Sequence, residues 1–175
     1  MTDGGEEGRY LILGTIDGLL AVLGIIIGLS AATSNAEIIV KAALGGGIAL
    51  CLTNGVGSYL AETAVVYGRI SSVEHAMLET LRDTHIEKQA KRKIMRDSII
   101  HGGTSLVGSI IPVIPFLVIH NGTALYVSIV LVAIVLVGLG LYSGYVSKQS
   151  YIKSIVRMIG LGAIIVIICS LLGLH

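Results

Sequence analysis

"LGTIDGLLAVLGIIIGLSAA", residues 13–32, is a run of aliphatic, glycine and alanine residues broken by one charged side chain, Asp17. A helix crossing a bilayer needs about 20 predominantly apolar residues, and this stretch supplies them. An ionised carboxylate at such depth is costly, and where one occurs it usually faces a bundle interior or a water-filled cavity. The same twenty residues thus predict a membrane fold and raise the question of what Asp17 is for.

The rest of the chain agrees with the first half of that reading. Hydrophobic residues make up 54% of the 175 and charged residues only 13%, for a mean hydropathy of +0.89. Soluble domains average about 25% charged residues because their surfaces face water, so a soluble all-α protein is excluded. A net charge of +1, no Trp and a single Phe provide neither a basic stripe nor the aromatic platforms of nucleic-acid binders, and no nucleic-acid partner is expected. Cys51 and Cys169 lie in apolar runs and are expected to be free thiols. The acidic opening "MTDGGEEGRY" does not resemble a cleavable signal, so the first helix is expected to be retained. "NGT" at Asn121 matches a glycosylation sequon, a short and unspecific match.

Five stretches qualify as spans: 10–32, 42–66, 99–119, 123–146 and 154–174. Backbone groups in lipid must be satisfied internally, which makes the spans helical. The prediction is an all-α polytopic protein, one transmembrane domain over 1–175, with a short cytoplasmic helical link at 67–98. Eleven of the twelve Lys and Arg residues fall before the first span, between the second and third, or around the link between the fourth and fifth; only Lys41 lies on the other side. By the positive-inside rule the N-terminus and both basic links are cytoplasmic and the C-terminus is outside. In a prokaryote the membrane would be the plasma membrane. Among the 23 glycines, Gly14 with Gly18 and Gly24 with Gly28 form small-xxx-small pairs suited to close helix packing. Pro112 and Pro115 are expected to break or kink the third span and free backbone carbonyls.

Of the eleven acids, only Asp17 and Glu62 fall within spans, each one to two turns inside. Asp17, Ala21, Gly24 and Gly28 follow i, i+4, i+7, i+11, so the carboxylate heads a stripe of small residues. Cys51, Asn54, Ser58 and Glu62 follow the same kind of spacing on the second span, a stripe of oxygen and sulfur donors. Facing one another, the two stripes would form a narrow polar cleft suited to a hard or borderline divalent cation, with Cys51 as a softer contact. Such a site can exchange protons for metal, the chemistry of a coupled antiporter. The structural alternative is that either acid pairs with a basic neighbour such as Arg9 or Arg69.

The link, "YGRISSVEHAMLETLRDTHIEKQAKRKIMRDS", has helical character, with Ser71 or Ser72 available to cap a new helix. His75, Glu79, Asp83 and Glu87 recur at intervals of four, with Glu74 and Met77 nearby. They read either as a metal-collecting face or as a solvated helix with ordinary i, i+4 pairs. The basic run from Lys88 to Arg96 suits anionic lipid headgroups. His85 and His101 could join a site, although a lone histidine is weak evidence for one.

Three of these segments resemble the vacuolar iron transporter family. "DGLLAVLGIIIGLSAA" (17–32) resembles its first-span signature, "NGVGSYLAE" (54–62) its second-span pattern, and "GGTSLVGSIIPVIPFL" (102–117) its third-span motif with two prolines. The last two spans match in length and hydrophobicity only. The resemblance implies a five-span homodimer that exports Fe²⁺ or Mn²⁺ from the cytosol in exchange for protons, with the metal as substrate and no cofactor. It implies that Asp17 and Glu62 carry metal and protons, and it maps the family's cytoplasmic glutamates onto Glu74 and Glu79. Ser58 stands where the family commonly has Met, Ala61 where it has Gly, and the link is short and basic, so the resemblance implies divalent transport and leaves the metal open. The chain is not expected to be an enzyme. Two other functions fit the composition: a non-transporting scaffold or lipid-binding protein using the basic link, and a transporter of a small neutral solute. The absence of intramembrane Lys or Arg argues against an anionic substrate.

Overall fold

The computed structural model of the chain describes residues 3–77, 84–119, 122–147 and 150–172, and the side chains at 3–6, 76, 77 and 86 lie outside that description. Among the described residues the order is α1 (Asp3–Ala32), α2 (Ala36–Met77), α3 (His85–Ile110), α4 (Ile114–Val118), α5 (Ala124–Ser147) and α6 (Tyr151–Leu172), with a single 3₁₀ turn, Ile111–Val113, joining α3 to α4. Five helical segments are long and apolar enough to cross a membrane: Glu7–Ala32, Ala36–His75, Glu87–Val118, Ala124–Ser147 and Tyr151–Leu172. The chain is an integral membrane protein, and the regular structure among its described residues is all helical. Its large exposed side chains are apolar over long helical rows, such as Leu52, Val56 and Leu60 on α2 and Ile152 and Val156 on α6, the pattern a lipid-facing surface requires.

The turn between α1 and α2 is fixed by its own polar side chains. Thr33 Oγ1 accepts from the Asn35 amide at 3.1 Å, and Asn35 Oδ1 accepts from the amides of Glu37 at 2.9 Å and Ile38 at 3.4 Å. Asn35 thereby satisfies two of the orphan donors at the start of α2.

The link departs from the sequence expectation. No new helix starts at Ser71 or Ser72; Ser72 Oγ donates to the Gly68 carbonyl at 2.9 Å, and α2 runs unbroken to Met77. Gly68 lies inside it at a cost of about 1 kcal/mol relative to alanine, with open space around its Cβ position. The next helix begins at Thr84, whose side chain accepts from the Glu87 amide. His75 lies in the last turn of α2 and Glu87 in the first turn of α3, and Thr84 between them is extended, so no single helix carries both. Glu79 and Asp83 lie outside the described residues, as does the Met77 side chain.

At the far end of the third span the prolines act as expected. Pro112 and Pro115 cannot donate to the helical ladder, and the helix gives way to the 3₁₀ turn before resuming as α4. The Pro112 carbonyl is taken up by Ser128 of α5, whose fully buried hydroxyl donates to it at 2.8 Å. Ser128→Ala is expected to lower stability by about 1–2 kcal/mol, by leaving that carbonyl unpaired. A reduced thermal midpoint in detergent checks this, with Ser147→Ala, which removes only an exposed i, i−4 bond, as a control that leaves it unchanged.

α3 occupies the centre, packed on α1 along one side and on α2 along the other, while α5 and α6 pair and lean on α1. Leu19, Leu20, Leu23 and Ile27 of α1 bury against Val132, Leu136 and Leu139 of α5. Val22 and Ile26 bury against Ile39, Ala43, Val113 and Phe116. The α1–α3 crossing is close enough to exclude side chains. A Cβ at Gly18 would lie 2.1 Å from the Ser105 carbonyl oxygen, and one at Gly108 would lie 2.4 Å from that of Thr15. Gly14 meets Thr104 and His101 in the same way, and Gly24 faces Cys169 Sγ of α6 at 3.3 Å. The packing role read from the sequence thus fits three of the four glycines. Gly28 has nothing within 4 Å of a Cβ position.

Candidate functional site

Polar side chains of α1, α2 and α3 meet in three layers. They follow from helical spacing: Tyr10, Gly14 and Asp17 share a face of α1, and Glu62, Ser58 and Asn54 share one of the antiparallel α2. Asp97, His101 and Ser105, four residues apart, share a face of α3 that lies between them.

In the layer nearest the middle of the bundle, Asn54 Nδ2 donates to Asp17 Oδ2 at 3.1 Å and to Ser105 Oγ at 2.8 Å. Ser105 is fully buried and passes its own hydroxyl proton to the His101 carbonyl at 2.8 Å. Asp17 is exposed, as are Ala21 and Gly28 further along α1. Its partner is an amide and not an arginine. The middle layer sets Ser58 Oγ 2.5 Å from His101 Nδ1, with Gly14 of α1 leaving room for the ring edge: a Cβ there would be 3.1 Å from His101 Cδ2. In the third layer Tyr10, 6% exposed, donates its hydroxyl hydrogen bond to Glu62 Oε1. The Arg9 guanidinium lies over the Tyr10 ring, 5.0 Å from its centroid. On α3 the same level holds Asp97, 2% exposed, beside Arg96 Nε at 3.4 Å. Arg96 in turn bridges to Glu7 of α1 at 2.7 Å.

Of the α2 stripe expected to face Asp17, only Asn54 meets it directly; Ser58 and Glu62 meet His101 and Tyr10, and α3 packs against the third side. Three expectations change. Asp17 stands level with Asn54, and Glu62 lies eight residues further along α2, about 12 Å away at 1.5 Å per residue; the two acids are not at matching depth. Ser58 turns to His101 and not to Asp17. Cys51 leaves the polar stripe and lines an apolar groove with Leu52, Val56, Tyr59 and Met95; both cysteines are free. Glu74 and His75 sit at the far end of α2, away from the layered cleft. Tyr10, Asp97 and Ser105 were not singled out as site residues by the sequence, and His101 stood there only as a histidine that could join a site. The i, i+4, i+8 spacing of the last three was the available signal. Among the described residues no three His, Cys, Asp or Glu side chains converge to hold an ion by themselves.

A profile of the VIT family matches residues 62–174, beginning at Glu62 and extending over the last two spans, where the sequence motifs were weakest. An uncharacterized protein of Methanocaldococcus jannaschii is 37% identical over 172 residues, covering 96% of this chain and 90% of that protein. The helical fold, the layered cleft and a family match over more than half of the chain carry one conclusion: this protein belongs to the VIT family, whose members move metal ions across membranes.

Proposed function

We propose that the protein exchanges protons for a divalent transition metal, Fe²⁺ or Mn²⁺, along the cleft between α1, α2 and α3, with Asp17 and Glu62 carrying the charge. The observation that supports this most is the exposed Asp17 carboxylate at the middle of a spanning helix, held by Asn54 and ordered by Ser105. Carboxylate, amide and hydroxyl oxygens are the donor set that Mn²⁺ and Fe²⁺ accept. A carboxylate left uncovered by its own protomer at membrane depth calls for a second surface. A homodimer that brings two copies of this α1 face together supplies both the cover and the missing ligands. In this reading the end carrying Arg9, Glu62 and Arg96 is cytoplasmic, the Thr33–Asn35 turn and the C-terminus are outside, and Lys88–Arg96 meets anionic headgroups. The direction is export from the cytosol.

Reconstitution tests it. Proteoliposomes containing the full chain are expected to take up Mn²⁺ or Fe²⁺ faster with a proton gradient of opposite direction, and to slow severalfold when a protonophore collapses that gradient. Metal movement that ignores the gradient would remove the coupling. No movement at all, with lipid binding retained, would favour the scaffold reading.

A further inference from the structure

Asp17 and Glu62 are too far apart to hold one ion together. Metal–oxygen distances of about 2.0–2.6 Å place two ligands of one ion within about 5 Å of each other, whereas the two acids differ in level by about 12 Å. An ion moving between them crosses the middle layer, where α1 offers only Gly14 and α2 only Ser58. α3 offers Thr104 and His101 at that level; the Thr104 hydroxyl is engaged by the Ile100 and His101 carbonyls at 2.8 and 3.2 Å, which leaves His101. Its Nδ1 is engaged by Ser58 at 2.5 Å, its ring lies 5.5 Å from that of Tyr10, and its Cδ2 edge is turned toward Gly14. Its Nε2 is buried without a hydrogen-bond partner among the described residues. Only one other buried side-chain polar atom described shares that condition, Ser30 Oγ near the opposite end of α1. Buried polar groups are almost always paired, so an unspent nitrogen on the path between two acids requires a use.

We propose that His101 is a metal ligand of the transport path, receiving the ion through Nε2 between the Asp17 and Glu62 levels, and that Ser58 is its orienting partner. Metal-binding histidines characteristically donate their other ring N–H to an oxygen, which fixes the tautomer and leaves the free nitrogen's lone pair for the metal. Ser58 Oγ is placed to accept from Nδ1–H in this way. Ser58 thus acts on the metal through His101 and not as a direct ligand. Because the Cδ2 edge adjoining Nε2 packs toward Gly14, the contact is made when α1 moves off α3 at that layer. A single imidazole among oxygens favours Co²⁺ and Ni²⁺ over Mn²⁺ relative to an all-oxygen path, since nitrogen donors follow the Irving–Williams order more steeply.

This inference rests on the transport reading above, and the test separates the two. Full-length protein and the variants His101→Gln, Ser58→Ala, Ser58→Thr and Asp17→Asn are reconstituted, and initial uptake of Mn²⁺, Co²⁺ and Ni²⁺ is compared. X-ray absorption at the cobalt edge is recorded on Co²⁺-loaded protein. His101→Gln is expected to lose about tenfold or more in Co²⁺ and Ni²⁺ uptake relative to Mn²⁺, and one imidazole's worth of scattering. Ser58→Ala, which keeps the ring, is expected to weaken Co²⁺ by about 10–100-fold, with Ser58→Thr restoring it. An unchanged cobalt-to-manganese ratio and an unchanged imidazole signal in His101→Gln, with Asp17→Asn inactive, overturns His101 as a ligand and leaves transport standing. If His101→Gln does not assemble, wild-type cobalt behaviour in Ser58→Ala overturns it instead. Normal uptake by Asp17→Asn would bring down the transport reading and this inference with it.

Discussion

Asp17→Asn is expected to reduce metal uptake into proteoliposomes by at least about 100-fold, while elution volume and thermal midpoint in detergent stay at or above the wild-type values. A dication leaving water needs compensating charge, because an unpaired charge in a low-dielectric interior costs many kcal/mol. Removing the one ionisable carboxylate of the α1 span removes that compensation at the level of Asn54. A hundredfold loss corresponds to only about 2.8 kcal/mol, a small part of what the charge supplies. The fold does not depend on it in the same way. The Asn54 amide that donates to Asp17 at 3.1 Å can donate equally to the new amide oxygen, and a neutral side chain is easier to keep in lipid. Wild-type uptake by this variant would sink the assignment of Asp17.

The second large effect is on assembly. Gly18→Ala places a methyl group 2.1 Å from the Ser105 carbonyl oxygen and 2.8 Å from the Ser109 amide nitrogen. Both are backbone atoms, which cannot rotate away, so α1 must separate from α3. Overpacking typically costs about 1–3 kcal/mol, and a clash with helix backbone on both sides places this one at or above the top of that range. The displacement also falls beside Asp17 and pulls on the hydrogen bonds that Asn54 donates to Asp17 and to Ser105. Gly28→Ala is the matched control. Nothing lies within 4 Å of its Cβ position, and alanine gains up to about 1 kcal/mol in helix propensity. A thermal melt of the two variants in detergent is expected to show the first strongly lowered and the second unchanged or raised. Equal midpoints would contradict the packing described for the α1–α3 crossing.

These glycines show where sequence stops. Gly14, Gly18, Gly24 and Gly28 carry the same spacing signal, and nothing in the one-dimensional pattern says which face meets a backbone and which meets nothing. The spans themselves were legible because the bilayer imposes length and apolarity directly on the chain. The α2 stripe was legible because helical periodicity is local. The register between α1 and α2 was not, since the depth of Glu62 relative to Asp17 depends on how two antiparallel helices slide past each other. Asp97 read as part of a solvated link because its neighbours are Lys93 and Arg96; only the course of α3, helical from His85 onward, carries it into the bundle. His101 read as an isolated histidine for the same reason, its partners Ser58 and Tyr10 being 43 and 91 positions away in the chain. The family match at 62–174 shows information in the last spans that hydrophobicity alone does not reveal.

The unbroken course of α2 has a mechanical consequence. At 42 residues and 1.5 Å per residue it is about 63 Å long, roughly twice the thickness of a hydrocarbon core. Rocked as a rigid rod about the Asn54 level, it would be a lever arm. A rocking of about 10° at that level shifts neighbouring atoms by fractions of an ångström, yet it swings the Met77 end, about 35 Å away, through about 6 Å. A hinge at Gly68 or Ser71 would have absorbed such a swing. With none there, motion at the Asp17 layer is magnified at Glu74 and His75, and a force applied at that end returns to the Asp17 layer with the same mechanical gain.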